Sequence, residues 1–209
     1  MPVAITRIVL LTGKSEGTPL SIELLRYNPS LDITVAHDHS DLAQAAKKID
    51  DSTRLISFCT SVIVPRETLE ALPGPAYNFH PGPPERPGRY PSIFALYDHA
   101  TQFGLTVHEM APSVDSGHIV NAEWFDIPDG CDLIELESRT LIRLITVFRT
   151  LAPYLARFSL PLPHQNIHWQ GRKTTQADCD GLCRVTPGMS AKESERRRRA
   201  CGTYLAKVN

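Results

Sequence analysis

The sequence predicts an α/β protein built on an open, mostly parallel, twisted sheet with helices on both faces. Two observations carry that prediction. Short β-rich apolar runs alternate with helix-period segments at βαβ spacing from residue 5 to residue 99. The alternation then gives way to two strands joined by a short polar turn, which reads as an antiparallel edge. A short C-terminal appendage follows.

Residues 5–12 (ITRIVLLT) are apolar, β-rich and stopped by Gly13, as a buried strand would be. Residues 18–26 read as a helix, with Thr18 as N-cap and Pro19 in its first position. Residues 32–37 (DITVAH) form a second strand and residues 40–48 a helix capped by Ser40. Residues 54–60 (RLISFCT), a short helix at 65–72 and a strand at 76–80 continue the pattern. A helix is expected at 92–99, then strands at 105–110 and 118–127 around a turn at 113–117. Residues 132–157 form a long helix capped by Asp132, with Leu136, Leu144, Phe148 and Leu155 on its apolar face and Pro153 bending or shortening it. The tail offers a hairpin at 166–171 and a charged helix at 192–199 (KESERRRR). The expected division is a catalytic domain over 1–158 and an extension over 159–209.

With 209 residues, 42% of them hydrophobic, the chain can bury a good core. A net charge of −1 offers no global electrostatic case for nucleic acid or an anionic membrane, and neither is expected as a partner. No apolar run approaches the roughly 20 residues of a membrane span. The N-terminus has a lone Arg7 and no basic region, so it reads as the first strand rather than a signal peptide. The five cysteines, Cys59, Cys131, Cys179, Cys183 and Cys201, match no zinc spacing and are expected to be reduced, as in a cytoplasmic protein. No nucleotide-cofactor fingerprint is present, and the Thr12-Gly13-Lys14-Ser15 run reads as a plain strand–helix turn. His37, Asp38, His39 and Asp41 make a weak metal pattern, and no metal is expected.

The run Y-N-F-H-P-G-P-P-E-R-P-G-R-Y carries the chemistry. Asn78 and His80, two apart on a strand, face the same side, and a stiff proline-rich loop follows. Ligands of open α/β sheets bind at strand carboxyl ends. The V-D-S-G turn after residues 105–110 could bring Asp115 to His80 if those strand ends lie side by side. An amide can stabilise an oxyanion, a carboxylate can hold an imidazole charged, and the imidazole can shuttle a proton, which suits acyl transfer. Arg86, Arg89 and Tyr90 in the loop are candidates to hold an anionic acceptor.

N-F-H-P-G, then S-I-F-A-L, F-G-L-T-V-H and V-D-S-G-H-I-V, resemble the folate-dependent formyltransferases, which act on glycinamide ribonucleotide, methionyl-tRNA or nucleotide sugars. The mark of that family is N-x-H-P followed by an Asp in a D-x-G turn, and R-L-I-S-F-C-T-S-V-I-V-P looks like the segment lining its folate pocket. The resemblance implies a Rossmann-type fold and a 10-formyltetrahydrofolate donor. It implies Asn78, His80 and Asp115 as catalytic residues. It also implies a pterin slot lined by Ser61, Val62, Ile63, Pro112, Ser113 and Val114, and a small-molecule amine acceptor. The sequence departs from the family at P-G-P-P-E-R-P-G, where many members carry P-S-L-L-P, and at His118, where proline is frequent. The tail looks like the short tail of sugar formyltransferases and is a candidate dimerisation element. Formyl-folate hydrolysis, or folate binding without catalysis, are the alternative readings.

Overall fold

The computed structural model of the chain describes residues 4–205. Six strands form one sheet: β1 (Arg7–Thr12), β2 (Asp32–Ala36), β3 (Thr53–Phe58), β4 (Tyr77–His80), β5 (Gln102–Glu109) and β6 (Ile119–Asp126), in the order β2-β1-β3-β4-β5-β6. Helices α1 (Lys14–Tyr27), α2 (His39–Ala46), α3 (Arg66–Glu70), α4 (Pro91–Tyr97) and α5 (Leu133–Leu155) connect or follow the strands. Helices α6 (Gln176–Leu182) and α7 (Ala191–Cys201) form the tail.

β2, β1, β3 and β4 are parallel, with Leu10 opposite both Val35 and Ile56 and Ser57 opposite Asn78. β3 is buried at every residue, as a strand covered on both faces must be. β5 runs against β4: Met110 N–H donates to Ala76 C=O at 2.7 Å while His108 lies beside Asn78. β6 returns against β5, with Glu109 N–H donating to His118 C=O. The end of β5 therefore lies beside the start of β4, not beside its end as the sequence reading assumed.

The chain divides into two compact units. The first holds the residues up to His80, with Val107–Asn121 and Leu144–Asn166. Its core includes Val9, Leu11, Leu42 and Leu55, and a ring cluster in which Phe148 of α5 meets Phe79 at 5.2 Å and Phe58 edge-on at 5.9 Å. The second holds Pro81–Thr106, Ala122–Arg143 and the residues from Ile167 onward. Ile93, Leu96, Phe103, Phe125, Leu136, Cys179 and Ala200 form its core.

Several local expectations are corrected. α1 starts at Lys14 with Gly13 as N-cap, so Pro19 lies inside the helix and Thr18 caps nothing. Gly17 is needed there because a Cβ would approach Val35 Cγ1 to 2.9 Å. Asp38, not Ser40, caps α2 by accepting from Asp41 N–H. Pro153 does not shorten α5, which runs on to Leu155. No strand forms at 166–171, where the hairpin was expected. α6 was not anticipated, although Thr175 and Asp178 make a reciprocal capping box. The expectation of five reduced cysteines fails as well: Cys183 and Cys201 form a disulfide between the ends of α6 and α7. Burial pushes the neighbouring Cys179 thiol up to about 11.

Candidate active site

β4 supplies the first two residues of the site. Asn78 and His80 alternate with Phe79, which turns to the opposite face and buries in the Phe58–Phe148 cluster, so core packing fixes the direction of both polar side chains. Asp115 comes from the turn between β5 and β6. It is buried and holds φ at +43°, a left-handed conformation tolerated by Asp better than by most residues and concentrated at functional sites.

The carboxylate of Asp115 meets two imidazoles. Oδ2 lies 3.6 Å from His80 Nδ1, slightly beyond hydrogen-bond length. Oδ1 lies 3.2 Å from Nε2 of His108, a buried residue of β5 that the sequence reading did not single out. The same Nε2 is 3.1 Å from Asn78 Nδ2. His108 Nδ1 donates to the Glu109 carbonyl at 2.7 Å, so that nitrogen carries a proton. Nε2 is thus the shared point of the site. When it bears a proton it donates to Asp115; when it does not, it accepts from the Asn78 amide and leaves the second amide N–H for another acceptor. His108 reaches this place because the antiparallel register sets it beside Asn78. Its one signal in the sequence is a histidine on an otherwise apolar strand run, F-G-L-T-V-H.

The structure gathers Asn78, His80, His108 and Asp115 in the first unit. Ser61, Val62 and Ile63 lie there too, just past β3, where Cys59 N–H donates to Phe79 C=O and carries the pairing beside β4 beyond the strand's end. Ile63 is exposed, and so are Pro112, Ser113 and Val114 of the Asp115 turn. Each segment thus presents an exposed apolar side chain, Ile63 in one and Val114 in the other. Arg86, Arg89 and Tyr90 lie in the second unit, engaged by its own side chains. Arg86 pairs with Asp98 at 2.8 Å, and Arg89 and Tyr90 both donate to Gln176 Oε1. Tyr90 also takes a left-handed φ of +58° as the N-cap of α4. Among the described residues no group of three His, Cys, Asp or Glu side chains could hold a metal ion. Asp38 and Asp41 of the H-D-H-S-D run serve backbone amides instead.

No protein-family model and no curated protein sequence matches the chain. Solved structures do. A sugar N-formyltransferase from a Shewanella species superposes with a TM-score of 0.75 at 15% identity, over 93% of this chain and 87% of that one. The fold is that of the sugar N-formyltransferases. An N-formyltransferase from Helicobacter canadensis, solved with folinic acid and dTDP-3-aminofucose, shares this formyltransferase fold with a TM-score of 0.69 at 14% identity, over 94% of this chain and 80% of that one. HypX from Aquifex aeolicus, solved with tetrahydrofolic acid, matches over 94% of this chain and 34% of its own length, with a TM-score of 0.67 at 19% identity. No helix among the described residues of this formyltransferase-fold chain is long and apolar enough to cross a membrane.

Proposed function

We propose that the protein is a formyltransferase that moves a formyl group from 10-formyltetrahydrofolate to a primary amine of a small molecule, a nucleotide-linked amino sugar above all. The observation that carries this reading is the set of two buried imidazoles, one buried carboxylate and one half-buried amide at the carboxyl end of β4. The formyltransferase fold supports it, as do the folate and amino-sugar ligands of the relatives that share that fold.

The acceptor nitrogen attacks the formyl carbon and a tetrahedral oxyanion forms. Asn78 and protonated His80 donate to that oxygen. Asp115 keeps His80 charged, while His108 holds Asp115 when its Nε2 bears a proton and Asn78 when it does not. The bond from the formyl carbon to the folate nitrogen then breaks. One proton leaves the acceptor amine and one reaches the folate nitrogen, with Asp115 assisting, through water where the two are not in contact. Ser61, Val62, Ile63, Pro112, Ser113 and Val114 line the pterin slot, and Arg86, Arg89 and Tyr90 are the acceptor-side candidates. In this reading residues 1–158 are the catalytic domain and residues 159–209 an extension. The reading carries a cytoplasmic location, where burial of both sulfurs shields the Cys183–Cys201 bridge from soluble reductants.

The test incubates the protein with 10-formyltetrahydrofolate and a panel of dTDP-linked amino sugars and follows formylated product by mass spectrometry. Acceptor-dependent product is expected, lost by about 10²- to 10⁴-fold in His80→Ala and Asp115→Asn. Donor loss independent of any amine would turn the reading to hydrolysis. Full activity in His80→Ala would refute the catalytic assignment.

A further inference from the structure

His118, His164 and Glu109 form a second polar cluster in the first unit, outside the set assigned to chemistry. His164 Nε2 lies 3.0 Å from Glu109 Oε1, and its ring stacks on His118 with centroids 4.3 Å apart and planes 15° apart. Glu109 and His118 are the two residues at the neck of the turn that carries Asp115. There Glu109 N–H donates to His118 C=O at 2.9 Å. Gly117 packs so closely on the Glu109 carbonyl that a Cβ would lie 1.9 Å from its oxygen. That same carbonyl accepts from His108 Nδ1.

His164 comes from a third part of the chain, the segment after α5. That segment is pinned on both sides of it: Leu162 N–H donates to the Tyr77 hydroxyl at 2.8 Å, and Gln165 N–H to the Ile119 carbonyl at 2.8 Å. Arg54 Nη2 holds the Leu160 carbonyl farther back. One side chain on an anchored segment thus grips the incoming end of the turn through the Glu109 carboxylate and the outgoing end by stacking.

We propose that His164 is a positioning residue for Asp115. It fixes the neck of the turn and so the distance from the Asp115 carboxylate to His80. The proposal rests on the reading of Asp115 as the group that keeps His80 protonated. It predicts a sign. Loosening the turn draws the carboxylate away from His80 and lowers the pH at which His80 loses its proton. Removing the ring with the turn unmoved would not lower it. A purely structural role would leave it where it is.

The ionisable groups packed around the cluster are His108, Tyr77, Tyr154 and the Arg54 guanidinium above the Tyr77 ring, and His80 itself faces Asp115. Burial holds the Tyr77 hydroxyl above its ordinary range, so it stays neutral through the titration.

The experiment follows the His80 imidazole by NMR from pH 5 to pH 9 in the wild type, His164→Ala and His164→Gln. It needs neither donor nor acceptor, so absent formyl transfer would leave its outcome standing. A fall in the His80 midpoint of about half a unit or more is expected in His164→Ala, given the one to three units an adjacent opposite charge confers. His164→Gln, which can still donate to Glu109, should recover most of it. An unchanged or raised midpoint overturns the proposal. Should the alanine variant not fold, His118→Ala removes only the stacking face and must lower the midpoint by a smaller amount; no fall there overturns the proposal equally.

Discussion

Replacing His108 by alanine tests the site where structure adds most to sequence. The side chain makes three polar contacts: 2.7 Å to the Glu109 carbonyl, 3.1 Å to Asn78 and 3.2 Å to Asp115. Its loss leaves either the buried carboxylate or the half-buried amide short of a partner, whichever of the two Nε2 serves. A hydrogen bond to a charged group contributes about 1.5–3 kcal/mol, and a buried polar group left without one costs about 1–3 kcal/mol. If the carboxylate's share appears wholly in the transition state, kcat/KM for formyl transfer falls about 10- to 150-fold, at 1.4 kcal/mol per decade. The total cost to folding is about 2–4 kcal/mol, which in a chain of this size lowers Tm by about 4–16 °C. Kinetics with a fixed amine acceptor and thermal melts on the same preparation separate the two effects. His108→Ala within about threefold of wild-type kcat/KM, despite a lowered Tm, would refute the argument that His108 holds Asp115 and Asn78 for catalysis.

Phe148→Ala removes the ring that packs on both Phe58 and Phe79 and should cost about 3–5 kcal/mol in urea unfolding; a loss below about 1 kcal/mol would mean the ring cluster does not set β4. Asp50 is held down to about 2 from its ordinary 3.8 by the Ser52 and Thr53 hydroxyls first and the Ser52 amide next, with Arg7 adding its charge. A depressed carboxylate contributes stability that is present above pH 3.8 and lost as pH falls through about 2, so Asp50→Asn should lower Tm at pH 7 and flatten its acid limb, the gap to wild type closing as pH falls towards 2. Opening the Cys183–Cys201 bridge, 18 residues apart, should cost about 3 kcal/mol by loop closure. Reductant reaches the buried bridge only as the chain unfolds, so a melt run with reductant should give a lower Tm than one without in the wild type but not in a Cys183→Ser, Cys201→Ser double variant.

The strand–helix alternation was legible because burial on both faces writes itself as short apolar runs. Helix ends were read less well. Thr18-Pro19 looks like a cap and first position, yet Gly13 and the first turn Lys14–Gly17 come earlier, because Gly17 lets α1 close on Val35. The capping box of Thr175 and Asp178 was present in the sequence as T-x-x-D and was overlooked among the polar residues of the tail. The disulfide had no local signal: 18 residues separate Cys183 from Cys201, and only the packing of α6 and α7 in one core joins them.

The sequence by itself singled out three candidate site residues. Strand period places Asn78 and His80 on one side, and a polar turn after an apolar run singles out Asp115. These are short-range consequences of backbone geometry. The tertiary structure alone decided how the three meet. β5 runs against β4, so its end lies by Ala76 and not by His80, and the turn must fold back to deliver Asp115. The same reversal sets His108 beside Asn78 and makes it the common partner of amide and carboxylate. Strand direction is settled by which pairing buries both faces of a strand among its neighbours, a property of the assembled sheet that no single segment encodes.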